Sequence, residues 1–453
     1  MNVHFIAIGG SAMHNLAIAL HKKGYHVTGS DDEIFEPSKS RLASYGLLPA
    51  KEGWDEGMIH DKLDAVILGM HARADNPELL KAQQMGIRIF SYPEYLYEQS
   101  KDKKRVVVGG SHGKTTITAM ILHVLNYHHM DCDYMVGAQL AGFDVMVKLT
   151  DTAPVMVLEG DEYLTSPIDR RPKFHLYMPD VAIISGIAWD HINVFPTFDN
   201  YVEQFRIFAN LVSDGGALIY CGDDEAVKNV CTAAKKTLRK MPYSLPSFNI
   251  VDGKTFVEHG ATKYQLQIFG RHNLLNMEGA RLVCKELGVD DHGFYEAITS
   301  FKGASKRLET VDSNESVVVY KDFAHSPSKL KATTAAVKEQ FPKRKLVDCL
   351  ELHTFSSLTA EFLKEYKGAM DAADVAIVYF NAHTIAHKKL PPITGEQVKQ
   401  SFNRDDILIY NDSALLTADL LKMQWHDMNL LLMSSGNFDG IDFGELAGLV
   451  LGK

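Results

Sequence analysis

The sequence predicts an α/β protein of three domains, each a mainly parallel sheet flanked by helices. Three observations carry that prediction. Short apolar, β-branched runs alternate with amphipathic stretches of helical period over most of the chain, the pattern of successive βα units. A glycine loop, Gly109-Gly110-Ser111-His112-Gly113-Lys114-Thr115-Thr116, stands between one such run and a helical stretch. The chain of 453 residues is long enough for about three cores of ordinary domain size.

Residues 1–103 form the first expected domain, with strands at 5–8, 26–28, 65–68 and 87–90 and helices starting near Ala12, Ser38, Pro77 and Pro93. The first turn, Gly9-Gly10-Ser11-Ala12-Met13-His14, resembles a dinucleotide-binding fingerprint in which His14 replaces the third glycine. Asp31 follows the second strand, 22 residues after Gly9. A carboxylate there either accepts hydrogen bonds from a ribose or base, or caps a turn. Lys101-Asp102-Lys103-Lys104 reads as a charged hinge.

Residues 104–306 form the second. The run 105–108, the glycine loop and an apolar helical face over 117–125 are the context of a phosphate-binding loop. Backbone N–H groups of Gly110, Ser111, His112 and Gly113 would curl round phosphate oxygens, aided by the helix N-terminus. Lys114 would supply a point charge, and the Thr115 hydroxyl would coordinate Mg2+. Val108 stands where the longer motif has its first glycine, so the loop reads as the compact form Gly110-x-x-Gly113-Lys114-Thr115. An ordinary glycine turn is the alternative.

The strand at 154–158 runs into Glu159-Gly160-Asp161-Glu162, and that at 181–185 leads to Trp189-Asp190-His191. Groups just past the C-terminal ends of parallel strands share an edge with the glycine loop. Glu159 and His191 are therefore candidate metal ligands beside Thr115; a solvated strand end and a loop histidine are the alternatives. Mg2+ prefers oxygen, so a histidine suits a second ion or Mn2+. Further on, Asn273 and Asn276 share a face of a helix opening near Gly270 and running to about Leu287. Both amides reach one planar group such as adenine, or they cap the helix. Residues 303–309 read as a linker.

Residues 307–453 form the third domain, with strands at 317–320, 345–350, 375–380, 407–410 and 429–433. Asp322-Phe323-Ala324-His325-Ser326-Pro327 ends the first of these strands and Ser434-Ser435-Gly436-Asn437-Phe438-Asp439-Gly440 the last, both placed to face a cleft. His353, His383 and His387 have no metal-ligand spacing.

The composition is that of a soluble enzyme: 46% hydrophobic, 23% charged, net charge −10, which argues against a nucleic-acid partner. Five scattered cysteines point to neither a zinc site nor a disulfide framework. No basic, apolar leader and no apolar run of about 18 residues is present, so a cytoplasmic protein without a membrane span is expected, a monomer or weak homo-oligomer.

Six elements in order make a more specific match: Gly110-Ser111-His112-Gly113-Lys114-Thr115-Thr116, Glu159-Gly160-Asp161-Glu162, Asp190-His191, His272-Asn273-x-x-Asn276, Arg307-Leu308-Glu309 and Asp322-x-x-His325-x-Pro327. Together the sequence resembles the Mur ligases, ATP-dependent amide-forming enzymes of bacterial cell-wall synthesis. The resemblance implies a Rossmann-like N-terminal domain holding a UDP-sugar through Gly9, Gly10, Ser11 and Asp31. It implies a central P-loop ATPase-like domain with ATP phosphates on Gly110 to Thr116, and a Rossmann-like C-terminal domain for the acceptor. Asn273 and Asn276 would meet adenine, Asp322 and His325 the nucleotide edge, and Arg307 the phosphates once the third domain closes. Lys114, Glu159, His191 and Arg307 would be catalytic, with Mg2+ or Mn2+ on Thr115, Glu159 and His191.

The implied reaction phosphorylates the lactyl carboxylate of UDP-N-acetylmuramate, and an amine then displaces phosphate from the acyl phosphate. Several stretches look closer to the family member that attaches recycled L-Ala-γ-D-Glu-meso-diaminopimelate tripeptide than to the member that adds L-alanine in de novo synthesis, which is the alternative. They are Val27 to Asp31, Phe35 to Ser38, Glu162-Tyr163, Asp169 to Phe174, Asp322 to His325 and Met433 to Gly436. Three features depart from the family. Gly160 replaces an alanine. Glu351-Leu352-His353-Thr354-Phe355-Ser356-Ser357 stands where both relatives carry arginine. Arg206 lies where several members carry a carbamylated lysine, which implies a metal site without a carbamate.

Overall fold

The computed structural model describes residues 1–140, 143, 145–189, 194–304 and 307–453. The first strand stops before its apolar run does. Ala7 turns into the left-handed region (φ 67°), and the Ala7 and Ile8 N–H groups both donate to the Ser30 carbonyl. β1 (Asn2–Ile6) is therefore followed at once by the glycine turn and the helix Ser11–Lys22. With β2 (His26–Ser30), β3 (Ala65–Leu68) and β4 (Ile89–Ser91) it makes a parallel sheet of order β2-β1-β3-β4. The remaining helices, Ser38–Ser44, Pro77–Gln84 and Tyr92–Ser100, begin within a residue of their expected starts. Local chemistry explains the last two. Asn76 caps Leu79 ahead of a proline at the first helical position, and Ser91 with Glu94 forms a capping box.

The stretch expected to be a hinge is pinned instead. Lys103 Nζ donates to Asp133 Oδ2 (2.6 Å) and to the Thr150 carbonyl (2.7 Å). The buried Arg105 guanidinium donates to the carbonyls of Ser100, Lys101, Lys103 and Met178. Lys103 and Arg105 are thus held by buried or half-buried acceptors, while Lys101 and Lys104 meet exposed ones.

The second sheet contains β5 (Lys104–Gly109), β6 (Asp133–Met135), β7 (Val147–Lys148), β8 (Val155–Glu159), β9 (Val181–Ile184), β10 (Ala217–Cys221) and β11 (Arg239–Tyr243). Its order is β11-β10-β9-β5-β8-β6-β7, parallel except for β7. The chain leaves β5 toward β6 and β8 on one side and later reaches β9 on the other. The C-terminal end of β5 is thus a topological switch point, where open α/β sheets leave a crevice.

A three-stranded antiparallel sheet, β12 (Phe248–Val251), β13 (Lys254–His259) and β14 (Thr262–Leu266), follows. Asp252-Gly253, both at positive φ, makes its first two-residue turn. The last sheet has β15 (Glu309–Ser313), β16 (Val317–Asp322), β17 (Lys345–Glu351), β18 (Val375–Tyr379), β19 (Leu408–Tyr410) and β20 (Met428–Met433). Its order is β15-β16-β20-β17-β18-β19, with only β15 antiparallel. The stretch expected as a linker thus ends at Glu309 in an edge strand. Two compact units result: Met1–Ser244 with Glu278–Phe294 holds the first two sheets, and Leu245–Met277 with Tyr295–Lys453 holds the others. No helix among the described residues is long and apolar enough to cross a membrane.

β17 carries an unusual core residue. Asp348 is fully buried among apolar neighbours; the Thr334 hydroxyl donates to its Oδ2, and Oδ1 has no partner among the described residues. Burial lifts its carboxyl to about 7, against smaller pulls from Thr334 and Arg404. The folded protein thus holds this proton over a range in which the unfolded chain has released it. Stability is lost as pH rises from about 4 through 7. Asp348→Asn is expected to become the more stable protein over that window, by on the order of 2–4 kcal/mol at pH 8. Denaturant unfolding of both proteins at pH 4.5 and 8 checks this; a pH-independent difference would refute it.

Candidate active site

The glycine loop is shaped by the stretch that follows β9. Gly110 lies at φ 139°, and a Cβ there would come within 2.1 Å of Ser185 Oγ, so no other residue fits. Ser111 N–H donates to the Gly186 carbonyl (2.9 Å). The Ser111 hydroxyl donates to the same oxygen and accepts from Ala188 N–H (2.8 Å). Ser185 donates to the His112 carbonyl, and the His112 ring packs on Gly186 so closely that a Cβ there would lie 2.2 Å from Nε2. Gly113, at φ 77°, caps the helix Lys114–Tyr127, whose first turn contains the buried Thr115 and Thr116. The loop and the free N–H groups of that helix end lie at the switch point.

Three strand ends converge on the loop. Thr115 Oγ1 donates to Glu159 Oε1 (2.9 Å) at the end of β8, and Glu159 Oε2 accepts from Gly137 N–H (2.8 Å). Lys114 Nζ donates to Glu162 Oε2 (2.6 Å) and to the Gly110 carbonyl (2.7 Å). Tyr201 donates to the other Glu162 oxygen (3.1 Å). Asp161 pairs with Lys173 (2.6 Å). Burial works against the Lys114 ammonium, but Glu162, Asp161 and Glu159 outweigh it and hold the group above its ordinary range. Burial likewise opposes the Asp161 carboxylate, yet Lys173 and Lys114 bring it down to about 2. The site is an array in which acidic and basic side chains alternate.

In the first sheet Asp31 is turned inward. Its Oδ2 accepts Gly9 N–H (2.7 Å), its Oδ1 accepts Asp32 N–H (3.0 Å), and burial lifts the carboxyl to about 6. This is the turn-capping arrangement, and it fixes the loop from Gly9 to Ser11. A cavity of about 280 Å3 joins the two sheets. Ser11 and Asn15 line one side of it and Lys114, Glu159, Asp161 and Lys173 the other.

The second unit gathers other expected residues. Asn273 and Asn276 are buried on the helix Arg271–Glu286, and Asn273 Nδ2 donates to the Phe269 carbonyl (2.9 Å). Arg307 lies over the Phe323 ring (4.8 Å). Asp322 accepts the N–H groups of Leu308 and Ala324, and burial raises its carboxyl against the pull of Arg307. His325 Nδ1 meets the Phe323 carbonyl (2.8 Å). Arg307, Asp322 and His325 are thus assembled around Phe323. His191 and Asp190 lie outside the described residues, and among those described no three His, Cys, Asp or Glu converge as a metal-binding group.

Several residues of the site were not singled out from the sequence. Glu162, Asp161 and Lys173 sit in quoted motifs, but only the fold pairs them with Lys114 and with each other. Where the resemblance implies an arginine, Glu351 Oε2 accepts from Ser434 Oγ and Phe438 N–H (2.8 Å), and its Oε1 lies 3.4 Å from His353 Nδ1. Arg206 is exposed and pairs with Glu203 on its own helix.

Comparisons with known proteins identify the family. The profile of the Mur ligase family, catalytic domain, matches residues 2–104, and that of the Mur ligase middle domain matches residues 108–284. A UDP-N-acetylmuramate–L-alanine ligase of Sulfurihydrogenibium sp. (strain YO3AOP1) is 31% identical over 92% of this chain and 91% of its own. That of Paenarthrobacter aurescens (strain TC1) is 32% identical over 87% and 86%. Among solved structures, the UDP-N-acetylmuramate:L-alanyl-γ-D-glutamyl-meso-diaminopimelate ligase of Neisseria meningitides is 26% identical, with TM-score 0.60 over 66% of this chain and 98% of that one. The UDP-N-acetylmuramate–alanine ligase of Thermotoga maritima shares the fold, with TM-score 0.69 at 20% identity over 97% and 96%. The chain therefore belongs to the Mur ligase family of ATP-dependent, amide-forming ligases.

Proposed function

We propose that this ligase activates the lactyl carboxylate of UDP-N-acetylmuramate with ATP and joins it to the amine of L-alanine. The cavity shared by Ser11, Lys114 and Glu159 carries this reading, because a sugar nucleotide held at the first turn would reach the phosphate loop through it. The carboxylate oxygen attacks the γ-phosphorus and ADP departs. The amine nitrogen then attacks the acyl carbon, loses a proton, and inorganic phosphate leaves. Both partners of the first step are anions, so the barrier is electrostatic. Lys114 would exchange Glu162 for a phosphate oxygen. The Thr115 hydroxyl and Glu159 offer adjoining oxygen donors, which fits Mg2+, an ion that screens the phosphate charge when bound. His191 is assigned to the same metal site. From the second unit, Asn273 and Asn276 are assigned to adenine, Asp322 and His325 to the nucleotide edge, and Arg307 to the phosphates. The domain bounds 1–103, 104–306 and 307–453, the role of Asp31 at the UDP moiety and a cytoplasmic site of action belong to the same proposal.

The acceptor differs from the one expected from the sequence. The L-alanine-adding relatives match this chain at 31–32% identity over most of its length, which favours L-alanine over the tripeptide. The tripeptide is the second reading, favoured by the 26% identity to a ligase named for it.

Lys114→Ala is expected to lower kcat by about a thousandfold or more, since the reacting phosphate loses its fixed cation. UDP-N-acetylmuramate binding should persist, as titration calorimetry would show; near-normal turnover would refute the mechanism. Purified enzyme with ATP, Mg2+ and UDP-N-acetylmuramate is expected to release phosphate and form product with L-alanine. Product with the tripeptide alone would replace the acceptor reading, and none with either would overturn the proposal.

A further inference from the structure

The cavity between the first two sheets is lined by two residues, each with a buried polar atom that the described residues leave unsatisfied. One belongs to Asn15, 1% exposed, in the second turn of the helix Ser11–Lys22. Its Nδ2 donates to the Ser11 carbonyl (2.7 Å) and to His14 Nε2 (3.0 Å), with Met146 Sδ at 3.4 Å. His14 can accept there because its Nδ1 faces the Gly10 carbonyl and the Ser38 hydroxyl, both at 3.0 Å. Burial holds the imidazole below its ordinary range, so the ring is neutral with its proton on Nδ1. Both Nδ2 hydrogens of Asn15 are thereby used, and Oδ1 is left as an acceptor with no partner among the described residues. The other atom is the hydroxyl of Tyr177, fully buried and also without a partner among the described residues. Burial, with Tyr92, Asp161 and Glu159 around it, keeps this phenol protonated and therefore a donor. Both residues line the cavity that contains Lys114 and Glu159.

One fixed acceptor and one fixed donor complement a secondary amide, whose N–H and C=O are the reverse pair. The substrate class proposed above carries such a group, an acetamido substituent on the sugar carbon next to the lactyl ether. A lactyl carboxylate beside Lys114 and Glu159 brings that neighbour into the same cavity. We infer that Asn15 and Tyr177 form the subsite that recognises the acetamido group of the sugar nucleotide, Asn15 Oδ1 accepting its N–H and Tyr177 donating to its carbonyl. The inference rests on the UDP-N-acetylmuramate reading and adds a specificity element to it. A buried hydrogen-bonding pair rejects ligands that leave it unpaired more strongly than an apolar wall does.

Calorimetric titration of UDP-N-acetylmuramate and of its 2-deoxy analogue, which lacks the acetamido group, separates the possibilities. Wild type is expected to bind the acetamido ligand at least about tenfold more tightly. Tyr177→Phe, which removes one oxygen, and Asn15→Leu should each cost roughly tenfold on that ligand and less than about twofold on the analogue. The ratio between ligands is insensitive to the fraction of protein folded. Equal losses on both ligands, or none on either, as a water shared by the two atoms would produce, overturn the subsite while leaving the substrate reading intact. Wild type that binds neither ligand overturns the substrate reading itself, and the subsite with it.

Discussion

A buried ammonium cannot stand alone, and Lys114 shows how much of the first unit is arranged to meet that demand. Its side chain is 16% exposed and its partner Glu162 only 1%. An uncompensated charge at that depth costs several kcal/mol, so the pair must be held together by other groups. Tyr201 satisfies the second Glu162 oxygen, Gly110 gives Lys114 a carbonyl, and Asp161 with Lys173 extends the alternation. A bridging pair of this kind is a poor source of stability but a precise source of position. It keeps the cation extended and ionised in the place where a phosphate would compete with Glu162 for it.

That placement follows from sheet order rather than from any one segment. β5 lies between β8 and β9, so the loop after β5 meets Glu159 from one neighbour and Ser185 to Ala188 from the other. The glycines serve these two approaches. Gly110 leaves room for Ser185, and Gly137 leaves room for Glu159, whose Oε1 would lie 2.7 Å from a Cβ. The same geometry brings the C-terminal edge of the first sheet, through Ser11 and Asn15, onto the cavity beside Lys114.

The features readable in the sequence are those whose cause is local. Strand, glycine loop and helix occur within about twenty residues, and the helix starts expected in the first domain lie within a residue of those observed. Features set by distant partners were hidden. β11, Arg239-Lys240-Met241-Pro242-Tyr243, has no apolar run because it is an edge strand with only Tyr243 buried. The Asp252-Gly253 turn of the antiparallel sheet was a legible hairpin signal, but the strands around it are half exposed and their alternation is weak. Lys103 looked solvated because Asp133, thirty residues away, is what buries it. His14 counted only as a missing glycine, although its ring is what orients Asn15.

The acceptor end of the chemistry shows why a motif position alone does not transfer a role. Glu351 stands where the family resemblance implies an arginine, and an anion there would repel the carboxylate of an amino acid. Its charge, however, is already committed. Ser434, Phe438 N–H and His353 hold the carboxylate ionised against burial, and the same contacts brace the turn after β20. Gly436 is confined by the pair, since a Cβ there would lie 2.8 Å from His353 Nδ1 and 2.9 Å from Glu351 Oε2. Glu351 thus works as a brace between the ends of β17 and β20. A carboxylate with two hydrogen bonds and an imidazole 3.4 Å away offers little net field to a ligand, because each contact that stabilises the anion also screens it. On the proposed reading, discrimination between a lone amino acid and a peptide would rest less on the sign of residue 351 than on which donors the braced turn presents.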